Sequence, residues 1–336
     1  MQISRDHHTV PRLLLRGFIH KKTKQLLARK RDGSENLVSL NDATVVPDFY
    51  NIGDGQAPDA TLEDWFSNSI ESPVGETMGA LRKGALPTGP ARSTVATFVA
   101  LQMVRTMRFR GLMGELSESL GPMLFANEVL QRVVAECPEL KDSGADLTAW
   151  HAEIAACAPE AVRSPEPLGV LRSMAREADR LKPMLQGMHW SVLIADGRLL
   201  MTGDTPVVAV SPTGETNTGP MLLPEMYMVQ VPVTPTVLLT ISPFPSFGKG
   251  TLTPVEAAQV NQAVIRDCAT TVLRHPDMPW PADLVLPAKR APLNRPTVKV
   301  TASGGKPTVP TWPPIVDNAI AEVIAMLGGD PELNEW

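Results

Sequence analysis

The chain has 336 residues, 43% of them hydrophobic and 20% charged, with a formal net charge of −5. These values describe a globular protein with room for a sizeable core and exclude a disordered, collagen-like or coiled-coil chain. Proline, at 32 residues, is the compositional outlier.

The net charge is unevenly spread. Residues 1–31 hold nine Lys/Arg and one acid, a balance of +8, and residues 287–316 hold five Lys/Arg and no acid, +5, which leaves −18 for the remainder. Either the basic ends neutralise the acidic middle, or the first 31 residues form a footprint for nucleic acid or a nucleotide. No apolar run reaches the length of a membrane span, and residues 1–10 lack the apolar stretch of a signal peptide. The chain therefore reads as cytoplasmic, with no membrane partner. Cys137, Cys157 and Cys268 are too widely spaced for a disulfide framework or a metal pair. They are expected to be reduced, with Cys268 on an apolar helix face.

In chain order, residues 11–18 read as a short helix with proline in its first turn. Residues 19–28 read as a basic hairpin with a second turn at Asp32-Gly33. Thr61, with Asp64 three residues on, starts a helix carrying Leu62, Trp65, Phe66, Ile70, Val74 and Met78 near helical spacing. Ser93 caps a helix to about Leu120, apolar nearly all round over residues 98–104. Further helices fit 122–136, 147–157 and 166–185.

The pattern changes at Trp190. Residues 190–195 and 198–202, joined by Asp196-Gly197, read as a hairpin, followed by strands over 207–210, 227–233 and 236–241. Thr253-Pro254, with Glu256 three residues after Thr253, opens a helix through Leu273. Residues 276–316 are proline-punctuated, with one strand at 297–301, and residues 318–327 form a last helix. The class is α+β: a mainly helical N-terminal two-thirds around a small antiparallel sheet, with a proline-rich C-terminal extension. Residues 1–286 are predicted as one domain, helical over about 61–187 and β-rich over about 188–245, and residues 287–336 as the extension.

Three constellations could carry chemistry. Asp6-His7-His8 precedes a helix start; His7 reads as a structural hydrogen-bonder, and His8 equally well as that or as a general acid or base. Gln102, Arg105 and Arg108 recur in steps of three. Arg105, among apolar neighbours, pairs either with Glu63 or Glu71 or with a substrate phosphate or carboxylate. Arg108 and Arg110 are expected on a solvated face. Asp204, before Thr205-Pro206 at a strand end, reads either as a local Asx turn or, with Glu71, as an oxygen ligand to a hard cation. No phosphate-binding glycine loop, dinucleotide fingerprint, zincin motif or nucleophile elbow is present.

Read together, His8-Thr9-Val10-Pro11-Arg12-Leu13-Leu14-Leu15-Arg16-Gly17-Phe18, Asp48-Phe49-Tyr50, Leu62-Glu63, Ile70-Glu71, Gln102-Met103-Val104-Arg105, Gly203-Asp204-Thr205-Pro206 and Asn261 form an ordered set. The set resembles an uncharacterised, mainly bacterial domain-of-unknown-function family, numbered 4238. Thr9 stands where that family carries an aromatic, and Gly203 and Thr205 also depart from its pattern. The resemblance implies that His8, Glu63, Glu71, Gln102, Arg105 and Asp204 converge. The expected function is a hydrolase of a phosphate-containing substrate, a phosphodiesterase or nuclease. His8, Glu71 and Asp204 are its chemical groups, and Gln102, Arg105 and Arg12 bind substrate. Glu63 and Asn261 form a structural network, and Glu71 and Asp204 hold Mg²⁺ or Mn²⁺. The alternatives are a non-catalytic anion- or nucleotide-binding module, and a structural or partner-binding protein with a buried ion-pair network.

Overall fold

The computed structural model describes residues 6–47, 49, 66–141, 143–158, 167–211, 216, 228–245, 248–288 and 312–326. The described strands are β1 (Asp6–His8), β2 (Gln25–Lys30), β3 (Glu35–Ser39), β4 (Val45–Pro47), β5 (His189–Ala195), β6 (Thr202–Gly203), β7 (Val208–Val210), β8 (Met228–Thr234), β9 (Val237–Ser242), β10 (Lys249–Leu252) and β11 (Thr271–Arg274). The α-helices are α1 (Arg12–Leu15), α2 (Ser72–Leu81), α3 (Gly89–Val104), α4 (Met107–Glu136), α5 (Leu147–Ala156), α6 (Pro167–Gly187), α7 (Pro254–Asp267) and α8 (Pro314–Met326). A π-helical turn, Phe66–Glu71, leads into α2. The fold is α+β, as the sequence predicts. No helix among the described residues is long and apolar enough to cross a membrane.

The chain divides into two compact units, Met1–Arg110 with Leu171–Asn294, and Gly111–Val170 with Arg295–Trp336. In the second, Phe125, Val129 and Val133 of α4 pack with Trp150 and Ile154 of α5 and with Val316, Ile320 and Val323 of α8. The Trp312 indole N–H donates to Asp317 at 2.8 Å, tying the start of α8.

Among its described residues the first unit contains three sheets. β1 and β4 pair antiparallel, bringing His8 opposite Val45. A four-stranded antiparallel sheet has the order β3-β2-β11-β6, and a five-stranded one the order β10-β5-β9-β8-β7. The five-stranded sheet is not wholly antiparallel, because β10 runs parallel to β5. One of its faces (Trp190, Val192, Val229, Val231, Leu239, Ile241) is fully buried. The hairpin of β2 and β3 turns at Asp32-Gly33, where Gly33 has φ +88°, a value that costs glycine nothing. Residues 98–104 of α3 are buried all round, in line with their unbroken apolar pattern.

Several boundaries differ from the sequence reading. Residues 19–24 form a closed turn rather than a strand: the Thr23 N–H donates to the His20 ring, and Lys24 adopts φ +59°. The helix placed from Ser93 to Leu120 starts earlier, with Pro90 in its first turn, and breaks at Arg105 (φ −82°, ψ 53°). Thr106 restarts it, its hydroxyl accepting the Phe109 N–H at 3.1 Å. The new helix, α4, then continues through Pro122 to Glu136. Residues 198–201 do not fold back on β5, whose antiparallel partner is β9. Leu200 and Met201 are both fully buried, and the Asn261 carboxamide takes the place of a strand partner: it accepts from Met201 N–H at 2.8 Å and donates to Leu199 C=O at 2.9 Å. The α7 capping box of Thr253 and Glu256 forms as predicted, but the helix stops at Asp267, and residues 271–274 are a strand. The last helix begins at Pro314, before the expected start at 318. The start at Thr61, Leu62, Glu63 and Trp65 and the strand at 297–301 lie outside the described residues.

Arginines recur as clamps on main-chain carbonyls. Arg82 donates to Leu13 O, Arg92 to Gln186 O and Met188 O, Arg110 to Phe49 O, and Arg274 to Met278 O. The guanidinium supplies up to five fixed donors and cannot lose its charge, so it suits irregular segments whose carbonyls have no ladder partner. Arg274 also pairs with Glu35 at 2.9 Å and stacks near Trp280, which Arg29 covers at 4.3 Å.

The hydrogen bond from Arg274 holds the Glu35 carboxyl below its ordinary pKa, against a smaller opposing effect of burial. A carboxylate with a depressed folded-state pKa stabilises the fold above its unfolded-state pKa, and the benefit is lost as pH falls through the folded value. Glu35→Gln is therefore expected to be less stable than wild type at neutral pH. The two melting curves should converge as pH is lowered from about 5 to about 3. Thermal melts across that range check this, and a pH-independent difference would contradict it.

Candidate functional site

His8 lies at the end of β1, where pairing with β4 brings it beside Ala43. Its Nδ1 is 3.2 Å from Ala43 O. A carbonyl oxygen only accepts, so Nδ1 carries the proton, and in the neutral ring Nε2 keeps its lone pair. Arg105, at the break between α3 and α4, is almost fully buried. It donates from Nη1 to Glu71 Oε1 at 3.1 Å and from Nη2 to His8 O at 2.7 Å. The Glu71 carboxylate and the His8 main-chain carbonyl thus meet at one guanidinium, while Asp204, which the resemblance places in the same set, is held by the turn at residues 269–271. Arg105 takes the ion-pair alternative, with Glu71 as its partner. Gln102, one turn earlier on α3, is buried, and its Oε1 has no hydrogen-bond partner among the described residues.

Arg108 is a correction. It is buried rather than solvated and forms a close ion pair with buried Asp267 at the end of α7. Arg110 is half-buried, its guanidinium 5.6 Å from the Phe49 ring. Arg12 is exposed and donates to Asn41 at 3.0 Å. Glu63 lies outside the described residues, and Asn261 has the structural role given above.

Asp204 holds a turn 65 residues away instead of forming a local Asx turn. Its Oδ1 accepts from Ala269 N–H at 2.7 Å. Its Oδ2 accepts from Thr270 N–H at 2.7 Å, the Thr270 hydroxyl at 2.8 Å and Thr271 N–H at 3.0 Å. Burial pushes the carboxyl pKa up, while the Thr270, Ala269 and Thr271 donors pull it down. Three of these four donors converge on Oδ2 and one on Oδ1, so the turn engages both oxygens, while Glu71 pairs with Arg105. Among the described residues no group of three or more His, Cys, Asp or Glu side chains could hold a metal ion.

The same turn is gripped by Arg31, a residue the sequence reading counted only within the basic N-terminal footprint. Arg31 donates to Ala269 O at 3.0 Å, Ile265 O at 3.0 Å, Cys268 O at 2.7 Å and Pro287 O at 2.9 Å. Its spacing carries no signal, because it follows a strand and its acceptors lie more than 230 residues away. Buried Cys268 is a bystander: burial pushes its thiol up to about 12, so it is no thiolate nucleophile. Of the other basic residues in the first 31, Arg29 pairs with Glu35 at 3.7 Å. Arg16, Lys21, Lys22, Lys24 and Lys30 are exposed, and Arg5 lies outside the described residues. The basic N-terminal segment is thus divided between structural clamps and solvent-facing arginines and lysines.

Next to Asp204 lies a cavity of about 390 Å³. Its walls are mostly apolar (Val38, Val45, Val46, Met107, Leu273), with Thr9, Lys30, Asp42, Asp204 and Thr270 as polar lining. Thr9 follows His8 and Met107 follows the Arg105 break, so the motif segments do border one cavity. His8, Glu71, Gln102 and Arg105 themselves are not among its lining residues.

A family model described as "Protein of unknown function (DUF4238)" matches residues 6–278. The chain belongs to the DUF4238 family. No curated protein and no solved structure matches it. The DUF4238 match spans both grips on the turn after α7, Arg31 and Asp204, and the Arg105 hub, and it ends before α8.

Proposed function

We propose that this DUF4238 protein is a binding module for a small ligand that combines an apolar body with one anionic group, carried in the cavity beside Asp204. The observation that carries the reading is the division of labour around that cavity. Arg105, Glu71 and Asp204 are committed to one another or to the turn, whereas Lys30, exposed on β2, lines the cavity and its side chain forms no hydrogen bond among the described residues. The volume lies in the range of small-molecule sites, and mostly apolar walls with a few polar groups are their usual composition. Nucleoside monophosphates and aryl phosphates belong to the class. The test is a thermal-shift series with these compounds on wild type and Lys30→Ala. A ligand-dependent rise in Tm is expected, with affinity about tenfold weaker in the variant, the size of one lost charge-assisted contact. No shift with any member, or an equal shift in Lys30→Ala, counts against the reading.

One observation favours a second reading, hydrolysis of a phosphate ester. His8 is fixed through Nδ1 with Nε2 as the acceptor, the arrangement a general base requires. Turnover of bis(p-nitrophenyl) phosphate, assayed with and without added Mg²⁺ or Mn²⁺ and lost in His8→Ala, would replace the binding module with an enzyme.

A further inference from the structure

A second, larger cavity lies in the first unit, between α7 and one face of the five-stranded sheet, with a volume of about 580 Å³. The strand registers explain which residues line it. Gln230 of β8 stands directly opposite Thr240 of β9, and Leu238 and Leu193 follow on the same face. On the helix, Glu256, Gln259, Val260, Ala263 and Arg266 recur at helical spacing and form the other wall. Leu238, Leu252, Val260 and Ala263 are buried, while Glu256, Gln259 and Arg266 are an exposed rim.

The floor carries no charge. An ionised group placed on the floor would leave water without a counter-charge, because the charged lining residues, Glu256 and Arg266, stand at the rim, so the floor selects against charged heads. Glu256 is spent on the α7 cap, accepting from the Thr253 N–H and hydroxyl. The floor does carry one unspent acceptor: Gln230 Oε1 is buried with no hydrogen-bond partner among the described residues, while its amide nitrogen rests against Met228 Sδ at 3.6 Å. A buried carbonyl oxygen without a donor costs free energy, and a ligand N–H or O–H in the cavity would recover it once the Gln230 carboxamide turns to present that oxygen.

We infer that this cavity is a second binding site, for an uncharged ligand with an apolar, ring-sized body and a single N–H or O–H donor directed at Gln230 Oε1. It is independent of the cavity beside Asp204. N-phenyl-1-naphthylamine is a matched probe: it is neutral, apolar, has one N–H, and its fluorescence rises in apolar surroundings. Titration of the full chain is expected to show saturable one-to-one binding. The N-methylated derivative, which lacks the donor, should bind wild type about fivefold more weakly, the worth of one hydrogen bond. Gln230→Leu should bind both compounds alike, and Ala263→Phe, which fills the cavity, should bind neither. The inference is overturned if wild type gives only non-saturable fluorescence, if methylation leaves wild-type affinity unchanged, or if folded Ala263→Phe binds as wild type does.

Discussion

Asp204→Ala is expected to lower the stability of the folded chain by about 3 kcal/mol, the cost of stranding several donors that share one acceptor group. Three of the four donors are consecutive main-chain N–H groups, Ala269 to Thr271, at the point where α7 has ended and β11 begins. In the variant those groups face the space left by the carboxylate, and the turn they define loses its template. Asp204→Asn is expected to lose about 2 kcal/mol, because one oxygen becomes an NH₂ that meets N–H donors head-on. Urea unfolding of the three proteins checks this. The outcome separates two roles for the same side chain. A carboxylate kept for chemistry is under-satisfied in the free protein, and its removal leaves stability unchanged or raised. If Asp204→Ala unfolds at the same urea concentration as wild type or higher, the turn-holding role is wrong.

The parts of the fold legible in the sequence are those fixed by neighbours along the chain. The Asp32-Gly33 turn, the Thr253–Glu256 capping box and the all-round burial of residues 98–104 each follow from a few adjacent residues, and each is present. The misread segments are those decided by a partner far away. Residues 198–201 look like the return strand of a hairpin, yet Asn261, 60 residues on, takes their main-chain groups. Residues 271–274 continue an apolar helical pattern, yet Asp204 captures the N–H groups on which a further helical turn depends. The candidate site divides in the same way. The Arg105–Glu71 pair was open to prediction because a buried arginine on an apolar helix must find an acceptor. Its second acceptor, a main-chain carbonyl on β1, leaves no trace in side-chain identity.

Arg31 and Asp204 act on one short segment, and their joint removal gives the sharper test. The α7 C-terminus presents carbonyls at Ile265, Cys268 and Ala269, where a cation is also favoured by the helix dipole, and the next residues present N–H groups. Arg31 satisfies the first set and Asp204 the second. Arg31→Ala is expected to cost about 2–3 kcal/mol, and Arg31→Lys nearly as much, because an ammonium cannot span acceptors that the planar guanidinium reaches together. Once either grip is lost, the turn has already relaxed and the other grip has less to hold. The double variant Arg31→Ala/Asp204→Ala should therefore lose about 1–2 kcal/mol less than the sum of the single losses, the size of coupling found between residues that share partners. Additivity within about 0.5 kcal/mol would mean that the two side chains stabilise separate features. The predicted coupling would show that the DUF4238 chain uses its Asp204 motif to convert a helix end into a sheet strand, which in turn supplies the wall of the cavity at Thr270, Thr271 and Leu273.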